Sequence, residues 1–128
     1  MTETSVITKA RRVSLCKITS GAISTLPKIT HITLGTGGVD ADGEPLIPLD
    51  TQTALHHPVG TYPIEPVSYP TETTARYAIT IPEHELVGEK LSEAGLVDEQ
   101  GTLCAVKNMY VKQKDDGVTF AFTFDDEF

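Results

Sequence analysis

The sequence predicts an α+β domain, with one N-terminal helix packed on a mainly antiparallel β-sheet and long loops between the elements. Three observations carry this expectation. Apolar residues recur at helical spacing after Thr8, a residue type that caps helices. Several later segments alternate apolar and polar positions with a period of two, as half-buried strands do. Two of these segments are divided by Asp98-Glu99-Gln100-Gly101, a turn with glycine where a positive φ costs little. At 128 residues the chain is the size of one domain, 1–128, with one core.

The helix is expected over Lys9 to Thr19, with Gly21 past its end. Ala10, Val13 and Cys16, widened by Leu15 and Ile18, form the face expected to turn inward. Ile29 to Leu34 reads as a strand, and 35–50 as a long loop of the kind that serves interaction sites. Thr51 to His57 is expected to make a helical turn stopped by Pro58. Pro63 and Pro66 make the Tyr62–Ile64 segment an edge strand. Ala75, Tyr77, Ile79 and Ile81 share one face of a better strand, and Leu91–Val97 and Leu103–Lys107 form the hairpin around the Asp98–Gly101 turn. In VTFAFTF, Val118, Phe120, Phe122 and Phe124 lie on one face, opposite Thr119, Ala121 and Thr123. That phenylalanine face is either core or a contact with a neighbouring subunit.

Composition narrows the function. Charged residues are 22% and hydrophobic residues 39%, the balance of a soluble globular domain. No apolar run approaches the ~20 residues of a membrane helix, and MTETSVITKARR has no apolar stretch of signal-peptide length. Neither membrane insertion nor secretion is expected. A net charge of −8 argues against nucleic acid as a partner, because phosphate binding needs a basic surface. The charge is unevenly spread. Residues 1–28 hold Lys9, Arg11, Arg12, Lys17 and Lys28 against Glu3 alone, a balance of +4, while the remainder stands at −12. A basic first helix is either a solvated face or a surface for an acidic partner. Cys16 and Cys104 are expected to be reduced and mostly buried.

The glycine-rich THITLGTGG poses the main chemical question. A phosphate loop needs a lysine and a helix N-terminus after the glycines. Here Val39, Asp40, Ala41, Asp42, Gly43, Glu44 and Pro45 follow, and three carboxylates would repel a phosphate. The glycines are therefore expected only to turn the chain. Counted from Asp40, an EF-hand loop would need glycine and glutamate where Pro45 and Thr51 stand. His84-Glu85-Leu86-Val87-Gly88 starts like a zinc-protease helix but has Gly88 for the second histidine, and His56-His57 are not at i, i+4 spacing. No serine sits in a G-x-S-x-G elbow, and Glu83, Glu85, Glu89 and Glu93 read as a solvated acidic face. No enzyme, cofactor or metal is expected.

Five segments taken in order are more informative than any one of them. ITKARR, ITHITLGTGG, TQTALHHPVG, TARYAITIPEHELVG and LSEAGLVDEQGTLCAV, spanning about Ile7 to Val106, resemble the N-terminal domain of tail-collar fibre proteins from contractile-tailed bacteriophages. The last carries a Glu-x-Gly-Leu-x-Asp-x-x-Gly pattern at Glu93, Gly95, Leu96, Asp98 and Gly101. The resemblance implies a structural virion protein that fastens a fibre or fibre-like component to the tail baseplate. Its expected location is the virion tail, with the host cytoplasm during assembly. The implied partners are baseplate and tail-fibre proteins and a homotrimer of the chain itself. Fibres of that family continue into a shaft and tip, whereas this sequence ends at Phe128. A separate protein would then supply the tip, or the chain is itself a compact baseplate component. The expected partner-binding residues are Lys9, Arg11, Arg12 and Lys17 of the helix, Asp40 and Asp42 of the loop, and Phe120, Phe122 and Phe124 of the last strand. Two alternatives stand beside this reading: a carbohydrate-binding β module using Tyr62, Tyr69, Tyr77 and Tyr110, and a glycan or cell-wall hydrolase with an acidic pair.

Overall fold

The computed structural model describes residues 4–128. It is mostly antiparallel β-sheet with one short helix, in the order β1 (Thr4–Ile7), α1 (Lys9–Thr19), β2 (Ile29–Gly35), β3 (Pro58–Pro63), β4 (Ser68–Thr71), β5 (Thr74–Ile81), β6 (Lys90–Asp98), β7 (Leu103–Gln113) and β8 (Phe120–Glu127). A five-stranded sheet runs β1-β7-β6-β2-β3, and a three-stranded sheet runs β4-β5-β8. The hairpin expected around Asp98–Gly101 is β6–β7, with Gly101 at φ 83°. Its second strand continues six residues beyond Lys107, to Gln113. The proline-bearing β3 is an edge strand, as expected.

The main core combines residues of both sheets. Ile32, Leu34, Leu96 and Met109 of the large sheet cluster with Ile79, Ile81, Phe122 and Phe124 of the small one. Phe122 and Phe124 are 5% and 3% exposed, and Phe120 is half-buried against the same cluster. These phenylalanines belong to the domain's own core, so they offer a partner little or no surface. Burying each stabilises by roughly 1.5–3 kcal/mol. Val118 lies outside the strand and is exposed. Asp126 takes the buried place two residues beyond Phe124.

A second cluster of Leu55, Leu103 and Val106, with Val6 and Val97 against it, occupies the other face of the large sheet. Strand β6 is therefore covered on both sides, and Leu91 through Leu96 are all buried. This overturns the solvated acidic face for one of its members: Glu93 is fully buried.

The helix has the expected bounds, and Thr8 caps it by accepting the Arg11 N–H. Its orientation differs from expectation. Val13 and Cys16 are exposed, and the buried residue of α1 is Arg11. The Arg11 guanidinium reaches Asp126 with its two terminal nitrogens, at 2.8 and 2.7 Å, and lies 5.5 Å from the centre of the Phe128 ring. Buried ion-pair geometry outweighs the weak apolar stripe in setting the helix's rotation. Arg11 is thus a fold residue and is not free to dock a partner. Thr51 to His57 is a non-helical turn, with the Gln52 N–H donating to the Leu49 carbonyl.

Candidate docking surface

The loop from Thr36 to His57 is pinned to β6 by one carboxylate. Glu93 accepts the backbone N–H groups of Gly37 at 2.9 Å, His56 at 2.8 Å and His57 at 2.7 Å. Both ends of the loop therefore meet on a single buried side chain. Three amide donors replace the water that a buried carboxylate loses. The Ser92 hydroxyl oxygen accepts the Gly38 N–H, at 2.9 Å.

The glycines earn their place here by close approach rather than by turning. Gly35, Gly37 and Gly38 take no positive φ. A Cβ on Gly35 would stand 2.5 Å from Glu93 Oε2, one on Gly37 would stand 2.7 Å from His56 Cβ, and one on Gly38 would collide with the Ser92 carbonyl. Backbone and carboxylate can meet only because these residues lack side chains.

Further along, the Asp40 carboxylate accepts the N–H groups of Asp42 and Glu44, and Val39 pairs with Pro45. Asp40 closes its own turn, while Asp42 is exposed at the tip. The Leu46 N–H donates to the Gly38 carbonyl, and the buried Asn108 amide donates to the Leu46 carbonyl at 2.9 Å. Pro45 and Pro48 are buried, whereas Ile47 and Leu49 are 69% and 57% exposed and Leu46 is also exposed. A firmly anchored backbone thus projects an apolar ridge outward.

The ridge runs into the helix. The Lys9 N–H donates to the Asp50 carbonyl at 2.7 Å, and Arg12 pairs with the Asp50 carboxylate at 3.0 Å, exposed to solvent. A cleft of about 290 Å³ lies between Lys9, Ala10 and Val13 on one side and the 50–53 turn on the other. The structure therefore joins the helix to the end of the 35–50 loop at Asp50, while the expected Asp40 and Asp42 lie in a separate turn of that loop. Lys9, Ala10 and Val13 of α1 stand beside the 50–53 turn, which follows the exposed Leu46, Ile47 and Leu49 in the chain. Arg11 and the phenylalanines are set apart in the interior.

The tyrosines lie on β3, β4, β5 and β7. Two of their hydroxyls donate to carboxylates: Tyr62 to Glu85 at 3.0 Å and Tyr110 to Glu44 at 3.2 Å. Both cysteines are free thiols; Cys16 is exposed, correcting its expected burial, and Cys104 is buried. Burial, followed by the nearby Asp98 carboxylate, pushes the Cys104 thiol up to about 11. Among the described residues, no three His, Cys, Asp or Glu side chains converge as metal ligands would.

The Glu93 anchor, the Arg11–Asp126 pair and the apolar ridge escape a sequence reading. The first binds backbone amides that no side chain announces, the second links residues 115 apart, and the third is a short apolar run with no periodicity. The one available signal was the glutamate inside the otherwise apolar LSEAGLV. No protein-family model, no curated protein and no solved structure matches this chain.

Proposed function

We propose that this chain is a structural docking domain of a contractile-tail particle, holding a fibre or fibre-like component to the tail baseplate. The observation that carries the reading is the pinned 36–57 loop, which leaves Leu46, Ile47 and Leu49 exposed just before the 50–53 turn that meets α1. An apolar ridge on an anchored backbone loses little conformational entropy when a partner covers it. The rim cations Lys9, Arg12 and Lys17 would steer an acidic partner toward it. The five ordered segments that resemble tail-collar fibre domains supply the biological setting, and the threefold symmetry of such fibres supplies the homotrimer.

The test is to purify contractile particles from cells that encode the chain and label them with antibody against it. Label at the baseplate end of the tail supports the proposal. Particles that assemble fully without the chain, or that carry label only elsewhere, overturn it.

A further inference from the structure

Independent of the tail-particle reading, two turns of the chain differ in a way that bears on their covalent stability. Two aspartate–glycine pairs occur in the sequence, Asp42-Gly43 and Asp116-Gly117. In such a pair the glycine nitrogen can attack the preceding side-chain carboxyl, because glycine has no side chain to crowd the closing ring. At both glycines the space where a Cβ would stand is open. Crowding does not separate the two sites, but hydrogen bonding does.

In the first turn the backbone donors are committed elsewhere. The Gly43 N–H donates to the Asp40 carbonyl at 3.1 Å. The Asp40 carboxylate accepts the N–H groups of Asp42 at 2.9 Å and Glu44 at 3.0 Å, and Val39 pairs with Pro45. The Gly43 nitrogen would have to leave Asp40 before it could reach the Asp42 carboxyl. In the second turn the Gly117 N–H donates to the Asp116 carboxylate itself, at 3.0 Å. The attacking nitrogen therefore already faces the carboxyl group. His84 Nδ1 stands 3.1 Å from the same carboxylate oxygen and holds the side chain in that place. The chain before the turn is anchored, since the buried Lys114 ammonium donates to the Glu83 and Asp115 carbonyls at 2.9 and 3.2 Å. Beyond it, Gly117, Val118 and Thr119 are exposed and precede β8. Packing does not oppose ring closure there.

We infer that Asp116-Gly117 is a site of spontaneous backbone isomerisation to isoaspartate, from which Asp42-Gly43 is protected by its turn. The Gly117 nitrogen bonds to Asp116 Cγ and gives up its proton, and a carboxyl oxygen leaves as water, closing a succinimide. Water then adds to the ring carbonyl that belonged to the main chain and breaks its bond to the nitrogen. The water released in the first step balances the water consumed in the second, and nothing is oxidised or reduced. The product routes the backbone through the former side chain, which lengthens the connection from β7 of the large sheet to β8 of the small one.

The test incubates the full chain at neutral pH, folded and in urea, and locates isoaspartate by peptide mapping with electron-transfer fragmentation. The rate at Asp116 relative to Asp42 is expected to be roughly tenfold higher in the folded chain than in urea. Asp116→Glu, which would need a larger and slower-forming ring, is expected to remove the signal at that site and leave Asp42 unchanged. Asp40→Ala removes the carboxylate that ties the first turn and is expected to speed conversion at Asp42 without altering Asp116. Equal rate ratios in folded and denatured chain, or no conversion at Asp116 in the folded chain while the denatured chain converts, overturns the inference. So does a signal that persists in Asp116→Glu, or an unchanged Asp42 rate in Asp40→Ala.

Discussion

Arg11, in the first turns of the helix, closes on Asp126 near the end of the last strand, with its two terminal guanidinium nitrogens within 2.8 Å of the carboxylate. The side chains are 7% and 3% exposed, so neither charge has water to fall back on. Removing one partner of a buried pair costs about 3–5 kcal/mol, because the other is left buried and uncompensated. Arg11→Met and Asp126→Asn are each expected to lose that order of stability in urea denaturation. The double variant Arg11→Met, Asp126→Leu is expected to recover part of it. Loss equal to the sum of the single variants would show that the two charges are not coupled.

Glycine substitutions should separate close approach from turn geometry. Gly38→Ala drives a methyl group into the Ser92 carbonyl, and overpacking of this kind costs about 1–3 kcal/mol or more. At Gly101 the space is open but φ is 83°, so Gly101→Ala costs about 1–2 kcal/mol through backbone strain alone. The distinguishing readout is local. Only Gly38→Ala should speed amide exchange at Gly37, His56 and His57, whose N–H groups the Glu93 anchor holds. Equal effects at those amides would place the strain elsewhere.

Strand assignments were legible where one face is buried and the other wet. The alternation of Phe120, Phe122 and Phe124 with Ala121 and Thr123 states β8 outright, and Ile79 and Ile81 do the same for β5. Strand β6 hides its anchor because loop and sheet cover it on opposite faces, so Ser92 and Glu93 are as buried as Ala94. The helix was legible in extent from its cap. Its rotation was not, because a single long-range ion pair outweighs Val13 and Cys16, whose burial the periodicity alone had suggested. The proposed docking surface was half legible: its two segments can be named from sequence, but their junction at Asp50 is a tertiary contact.

Phe122 tests the shared core. It is 5% exposed and stands opposite Ile79 across the β5–β8 ladder. Phe122→Ala is expected to cost about 3–5 kcal/mol, measured by chemical denaturation. An unchanged midpoint would mean that the two sheets do not depend on this contact.

The two thiols should differ sharply in reactivity. Cys16 is exposed, whereas Cys104 is buried with its thiol pushed up to about 11 from an ordinary value of 9.0. An alkylating reagent at neutral pH is expected to modify Cys16 rapidly and Cys104 only on unfolding. The sign for stability follows from the raised value. Below pH 9 both folded and unfolded chains hold the Cys104 proton. As pH rises from 9 toward 11 the unfolded chain loses it first, so stability falls across that window. Cys104→Ala should abolish this part of the alkaline decline, and an identical slope in the variant would remove the assignment.

Ile47 and Leu49 separate docking from folding. Their side chains are exposed, so Ile47→Lys and Leu49→Lys are expected to change stability by no more than about 0.5 kcal/mol. The Glu93 anchor at the loop's ends and the Asn108 bond to the Leu46 carbonyl keep the loop backbone in place, so a loss of function would come from the altered ridge itself. In cells producing the particles, the double variant is expected to accumulate as folded protein but to be missing from purified tails. Charge reversal at Lys9, Arg12 and Lys17 is expected to act differently, slowing incorporation at raised salt less than at low salt, because rim charges govern encounter more than residence. Arg11 cannot serve in that experiment, since reversing it breaks the buried pair with Asp126 and destabilises the domain. Normal incorporation of the double lysine variant would show that the ridge is not where the partner binds.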